Sequence, residues 1–224
     1  LLFASITGYE GQADDVSATG RPAMPVHNTM TRPRLAGWLL AMSVTGSPLM
    51  ADETVMIIDD RSSGGYSAGE AGSWRLVTDN VMGGVSAGRL SVAEIDGRGC
   101  LRLHGKVSTE NSGGFIQAAL DLDTAQLRNA SAYDGVVIDV YGNGESYNLH
   151  LRQDGLWLPW QAFRATFTAS RQWQTHYLPF TEFQPHATRA VLKPDRLRRM
   201  GLVAIGRAFA ADVCLGRIGY YRSQ

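Results

Sequence analysis

The sequence has little of several things, and each shortage narrows what it can be. Only two of its 224 residues are cysteine, Cys100 and Cys214, and no C-x-x-C pair exists, which excludes a dithiol redox motif. Its 21 lysines and arginines balance 21 aspartates and glutamates, so there is no cationic excess to hold a nucleic acid and no acidic tail. No apolar run reaches the ~20 residues a bilayer asks for, so no stable membrane span is expected in the mature form. The five histidines (His27, His104, His150, His176, His186) are scattered without ligand spacing, and no metal is expected. Gly142-Asn143-Gly144 lacks the third glycine and the following helix of a dinucleotide loop, so no cofactor is expected either. Helical periodicity is thin throughout.

What is present begins with a targeting pattern. Met30-Thr-Arg-Pro-Arg34 is a short basic start, Leu35 to Val44 is uncharged and apolar, and small residues lead to Ala51 before Asp52-Glu53. That order predicts a secretory signal peptide over residues 30–51; a buried helix or a mitochondrial presequence are the competing readings. Residues 1–29 are then an upstream extension, disordered or not translated, residues 52–72 a flexible Gly/Ser-rich lead-in, and residues 73–224 the folded domain. The expected location is periplasmic or secreted, or mitochondrial if the source is eukaryotic. In an oxidising compartment Cys100 and Cys214 can pair. Closing so long a loop is worth about 4–5 kcal/mol on the chain-entropy model. Two separate buried thiols are the alternative, because spacing does not fix the distance between them.

Beyond the lead-in, short alternating runs recur between Gly, Asp and Asn punctuation. Strands are predicted at residues 86–95, 100–106, 113–122, 135–141, 147–152, 160–167, 172–178, 200–205 and 213–221, about ten in all. Asp96-Gly97-Arg98-Gly99 makes a hairpin turn. One or two short helical turns fit residues 123–132 and the stretch opened by Pro194. The pattern is all-β, a β-sandwich or jelly roll.

Three places invite chemistry. Gly84-Val-Ser86-Ala-Gly88 matches the G-x-S-x-G pattern of serine hydrolases. A nucleophile elbow, however, needs a helix after the serine, and AGRLSVAEI alternates like a strand. Gly83 and Gly84 then serve a positive-φ turn or a close backbone approach. Asp79 and Asn80 either cap a turn or offer oxygens to a ligand or calcium ion. In YNLHLR, Asn148, His150 and Arg152 share one face. With Asp139, Arg164, Thr166 and Gln174 on neighbouring strands they can form a polar concave surface. Trp157 and Trp160 in the next loop supply an aromatic platform. Such a surface suits a glycan, a peptide or a partner protein, or is an ordinary solvated sheet face.

Several motifs in order resemble one family. They are Trp74…Asp79-Asn80-Val81-Met82-Gly83-Gly84-Val85-Ser86, then Gly105 to Phe115 with its Glu110-Asn111-Ser112-Gly113-Gly114-Phe115. Tyr133-Asp134-Gly135, Gly142-Asn143-Gly144…Tyr147, Trp173, Leu178-Pro179-Phe180…Phe183 and Ile218…Tyr221 follow. Together they are similar to the complex I intermediate-associated protein 30 domain. The resemblance implies a galactose-binding-like jelly roll without catalytic residues, and a role like that of the family's assembly chaperones for NADH:ubiquinone oxidoreductase. The expectation is a non-catalytic binding domain whose partner is a protein, respiratory-complex subunits among them, or a glycan. A carbohydrate-binding module of the cell envelope is the alternative, and a hydrolase using Ser86 the third reading.

Overall fold

The computed structural model describes residues 54–223, so the extension, the signal-peptide segment and the first two residues of the lead-in lie outside the described residues. Within them the chain is all-β. In chain order the strands are β1 (Thr54–Asp59), β2 (Arg75–Thr78), β3 (Ala87–Ile95), β4 (Arg98–Val107), β5 (Phe115–Asp121) and β6 (Gly135–Gly142). Then come β7 (Ser146–Gln153), β8 (Ala162–Thr168), β9 (Gln174–Pro179), β10 (Gln184–His186), β11 (Leu197–Ile205) and β12 (Phe209–Arg222). They form two antiparallel sheets, ordered β3-β4-β12-β6-β9, with β1 also on β12, and β10-β8-β7-β11-β5-β2.

Strand alternation decides what each sheet buries. On β7, Tyr147, Leu149 and Leu151 point into the core, as Met200, Leu202 and Ala204 do on β11. Leu101, Leu103, Ile138 and Tyr220 meet them from the other sheet. Full burial of one such side chain contributes about 1.5–3 kcal/mol. β6, with its apolar run, is flanked by β12 and β9 and is buried along nearly its whole length. The β3–β4 turn uses Asp96 and Gly97, both at positive φ (52° and 73°), as a two-residue hairpin requires. Helix α1 (Ala125–Arg128) begins where Thr124 Oγ1 accepts from Leu127 N, and Pro194 opens a 3-10 turn.

Two expectations change. Strands β1, β2 and β10 add to the sequence-predicted set. The segment after residue 54 is built into the fold rather than left as a lead-in: β1 pairs with β12, and buried Asp59 accepts from Trp74 Nε1 at 2.7 Å and from the Arg61 backbone N–H at 2.8 Å. Its glycines and serines hide three anchors, Asp59, Arg61 and Trp74, of which Asp59 binds the other two while Arg61 also donates to the carbonyls of Gly65 and Ser67. The cysteine alternatives resolve to a disulfide. Cys100 on β4 and Cys214 on neighbouring β12 are bonded with Cα atoms 5.5 Å apart, both fully buried.

Candidate binding groove

The outward face of the second sheet is concave and holds a groove of about 540 Å³. Its floor follows from strand period. On β11 the residues between the core-facing ones, Arg199, Gly201, Val203 and Ile205, line it, with Phe115 and Gln117 beside them on β5 and His150 and Arg152 on β7. Gly201 matters here: a Cβ on it would come 2.1 Å from Gln117 Nε2, so the absent side chain is what lets the Gln117 amide lie across the floor. One rim carries Val81, Met82 and Thr109, the other Pro159 and Trp160.

The first rim is held by a buried carboxylate. Asp79 accepts from Ser86 N (2.9 Å), Gly114 N (2.6 Å), Phe115 N (3.3 Å) and the Ser86 hydroxyl. It thereby clasps two loops that are 35 residues apart in sequence. Burial pushes its pKa up, and the bonds from Ser86, Gly114 and Phe115 outweigh that, leaving it below the ordinary carboxylate value. The glycines fit the clasp. Gly83 is left-handed (φ 87°), whereas Gly84 has no positive φ but would place a Cβ 2.4 Å from Asp79 Cγ. Both Asp79 oxygens are thus engaged in tying its turn to Ser86, Gly114 and Phe115, and the side chain is fully buried. Asn80, at the surface, turns its amide to donate to the carbonyls of Gly84 (2.8 Å) and Ser86 (3.3 Å).

Ser86 belongs to the same clasp. Its side chain is buried, its Oγ accepts from Ser108 N at 2.9 Å and donates to Asp79, and strand β3, not a helix, follows it. No imidazole shares its hydrogen bonds.

The second rim is held by an arginine. Arg152 donates through its guanidinium to the carbonyls of Leu158 (2.8 Å), Gln161 (2.7 Å), Leu156 (3.4 Å) and Pro159. The loop it pins carries both tryptophans. Trp160 turns half-exposed toward the groove, while Trp157 is 91% exposed and stands off the floor.

Of the polar surface expected around β7, Arg164 and Thr166 are in place on β8, in register with His150 and Asn148, and Thr166 Oγ1 donates to Asn148 Oδ1 at 2.8 Å. Asp139 and Gln174 are not: they sit on β6 and β9 of the other sheet, where Asp139 pairs with Arg98 and Arg217 and accepts from Thr175. Alternation tells which residues share a face but not which strand lies alongside. His150 is 8% exposed, its Nε2 is without a partner among the described residues, and burial, with His186 and Arg164 nearby, pushes its pKa down to about 3. It is neutral at ordinary pH. Among the described residues no group of three or more His, Cys, Asp or Glu could hold a metal ion, and no helix is long and apolar enough to cross a membrane. Arg199, Gly201, Val203, Ile205 and Gln117 escaped the sequence reading, although the same period-two argument applied to LRRMGLVAI would have found the first four.

Known structures share this architecture. A family 11 carbohydrate-binding module of a cellulosomal cellulase of Clostridium thermocellum superposes with a TM-score of 0.61 at 10% identity, covering 76% of this chain and 95% of its own. The Clostridium thermocellum family 11 module in complex with a β-1,3-1,4-mixed-linked tetrasaccharide gives 0.58 at 11% identity, with 76% and 96% covered. At such identities the likeness is one of fold, a jelly-roll sandwich of galactose-binding-like type. Among curated proteins no relative matches the chain. The model of one family does, over residues 68–212, which is more than half of the sequence and spans both rims and the floor of the groove. The chain therefore belongs to the complex I intermediate-associated protein 30 family.

Proposed function

We propose that this protein is a binding module without chemistry of its own, which takes a segment of a partner protein into the concave groove and serves the assembly of a protein complex, as the family name suggests. The observation that carries the reading is the groove itself: a shaped floor between two rims, each pinned by a buried or half-buried side chain, Asp79 and Arg152. Preformed rims spare the ordering cost that a mobile surface bears on binding. The hydrogen bonds of Ser86, made to a carboxylate and backbone, support a role without acyl transfer. The Cys100–Cys214 disulfide supports an oxidising location, periplasmic or secreted, since such bonds persist there and are rare in reducing compartments.

The test is photo-crosslinking in the native cell from a benzophenone side chain at position 160, with position 92 on β3, outside the groove, as control. Respiratory-complex subunits attached from position 160 alone are the expected result. Attachment only to other envelope proteins, or equally from both positions, rejects the assembly role.

A second reading, a glycan ligand, is favoured by a half-exposed Trp160 ring and a neutral imidazole, His150, lining the same groove, since aromatic faces and uncharged donors suit sugars. The solved relative with a bound tetrasaccharide shows that this fold can seat one. Calorimetry against a glycan panel decides it: no affinity better than millimolar discards the glycan.

A further inference from the structure

The groove is not uniform along its length, and its gradient describes a ligand. Along β11 the floor runs from Arg199 through Gly201 and Val203 to Ile205, six residue steps or roughly 20 Å of extended chain. At the Ile205 end the surroundings are Phe115, Val81 and Met82. Val81 is 71% exposed and Met82 44%, so this end presents adjoining apolar side chains to a ligand. At the other end the charge is one-sided. The strands of this face carry Arg75, Arg152, Arg164 and Arg199 but the single carboxylate Asp121, which already pairs with Arg75 and Arg199. Arg152 is occupied by carbonyls. Arg164 is exposed and has no ion-pair or hydrogen-bond partner among the described residues; on β8 it flanks the groove beside His150, level with Gly201 and not at the Arg199 end. Between the two ends lie the Gln117 amide, which makes no hydrogen bond within the described residues, and the unpartnered Nε2 of His150.

We propose that the groove is built for an extended acidic peptide, with apolar side chains at the Ile205 end and, about four residues further along, a carboxylate that reaches sideways to Arg164 on the groove's flank. This rests on the groove being the partner site and adds the chemistry of what enters it. A glycan is disfavoured because the Ile205 end offers aliphatic side chains and Met82 to a ligand that would bring hydroxyls there, whereas a peptide can bring apolar side chains. The middle of the floor suits a peptide backbone: Gln117 can accept an N–H and donate to a C=O, and a neutral imidazole can do either once its tautomer is set. Arg164 would form a charge-assisted pair of the kind that guanidinium makes best.

The experiment measures binding to the whole mature protein by fluorescence anisotropy. The probes are two labelled heptapeptides with four valines at one end and two glutamates at the other, one in each chain direction. Their glutamine counterparts and hexagalacturonate, an acidic sugar chain, complete the set. One valine–glutamate peptide is expected to bind, to weaken with salt, and to lose about tenfold with Arg164→Gln, a change at an exposed side chain with no structural partner. The glutamine peptides are expected to lose a similar factor on the unaltered protein. Glutamate and glutamine peptides bound alike, and insensitive to Arg164→Gln, would overturn the acidic assignment while leaving the groove as a peptide site. Hexagalacturonate bound in preference to both peptides would overturn the peptide. Binding of none of the probes, in a protein still crosslinked to its partner from position 160, would overturn this chemistry and leave the binding module standing.

Discussion

Asp79 shows how one side chain can carry a recognisable sequence pattern. The glycines of its motif are there because the carboxylate is. Asp79→Ala leaves the Ser86 N–H and hydroxyl and the Gly114 and Phe115 N–H groups without their acceptor. Losing a buried partner costs about 1–3 kcal/mol each, so a large fall in the urea midpoint is expected, with the domain at the limit of folding. Gly84→Val drives a side chain into the same carboxylate and is expected to cost about 2 kcal/mol or more; an unchanged melting temperature would remove the reason given for that glycine. Acid acts on two groups that begin to respond at different pH. The depressed Asp79 contributes stability above its unfolded value of 3.8 and loses it as the pH falls further. His150 acts earlier, because its folded pKa of about 3 lies below the unfolded 6.5: between those values only the unfolded chain takes up a proton. Stability should therefore begin to fall below pH 6.5, by up to about 1.4 kcal/mol per pH unit for one proton. His150→Gln should flatten that decline between pH 6.5 and 4, leaving the smaller part due to His176 and His186, also depressed by burial. A profile unaltered by the substitution would contradict this account of the groove histidine.

The loop between β7 and β8 has no regular structure of its own and is ordered by Arg152, whose aliphatic stem rises from a strand and whose head collects four carbonyls. Arg152→Met keeps the stem and deletes the donors. The expected result is a small loss of overall stability, faster hydrogen exchange over residues 154–161, and weakened peptide binding; exchange unchanged in that loop would show it to be self-supporting. What the sequence disclosed follows the same division between strand and loop. The alternation of YNLHLR placed Asn148, His150 and Arg152 on one face correctly, since period two is local information. It could not show that Arg152 turns aside to hold a loop, nor that Asp139 belongs to the opposite sheet, since both depend on which strands become neighbours. Strand β1 was hidden for a related reason: TVMIID is apolar but sits beside a Gly/Ser stretch, and its partner is more than 150 positions later. Asp79 reads as a turn-former or a ligand, and its carboxylate is instead engaged by Gly114 and Phe115, remote residues that no local window contains, whereas Asn80 turns to the nearby carbonyls of Gly84 and Ser86.

For the molecule as a whole, the two sheets divide the work, one carrying the disulfide and the other the groove. Replacing Cys100 and Cys214 together by alanine should lower stability by about 2–5 kcal/mol while leaving peptide affinity unchanged, because the bond joins β4 to β12 on the sheet away from the groove. A parallel loss of affinity in the protein that remains folded would mean that the sheets are coupled. The placement of β12 also has a consequence for biosynthesis. This strand, Phe209–Arg222, borders β4, β6 and β1, so that three earlier strands share one late neighbour. While the chain is emerging, those strands have backbone donors and acceptors that only residues 209–222 will satisfy, and such long-range pairing is slow. A nascent copy must therefore wait, open-edged and prone to wrong pairings, until residues 209–222 have been made. Premature release or a stop codon before residue 209 should yield aggregate instead of a smaller folded product.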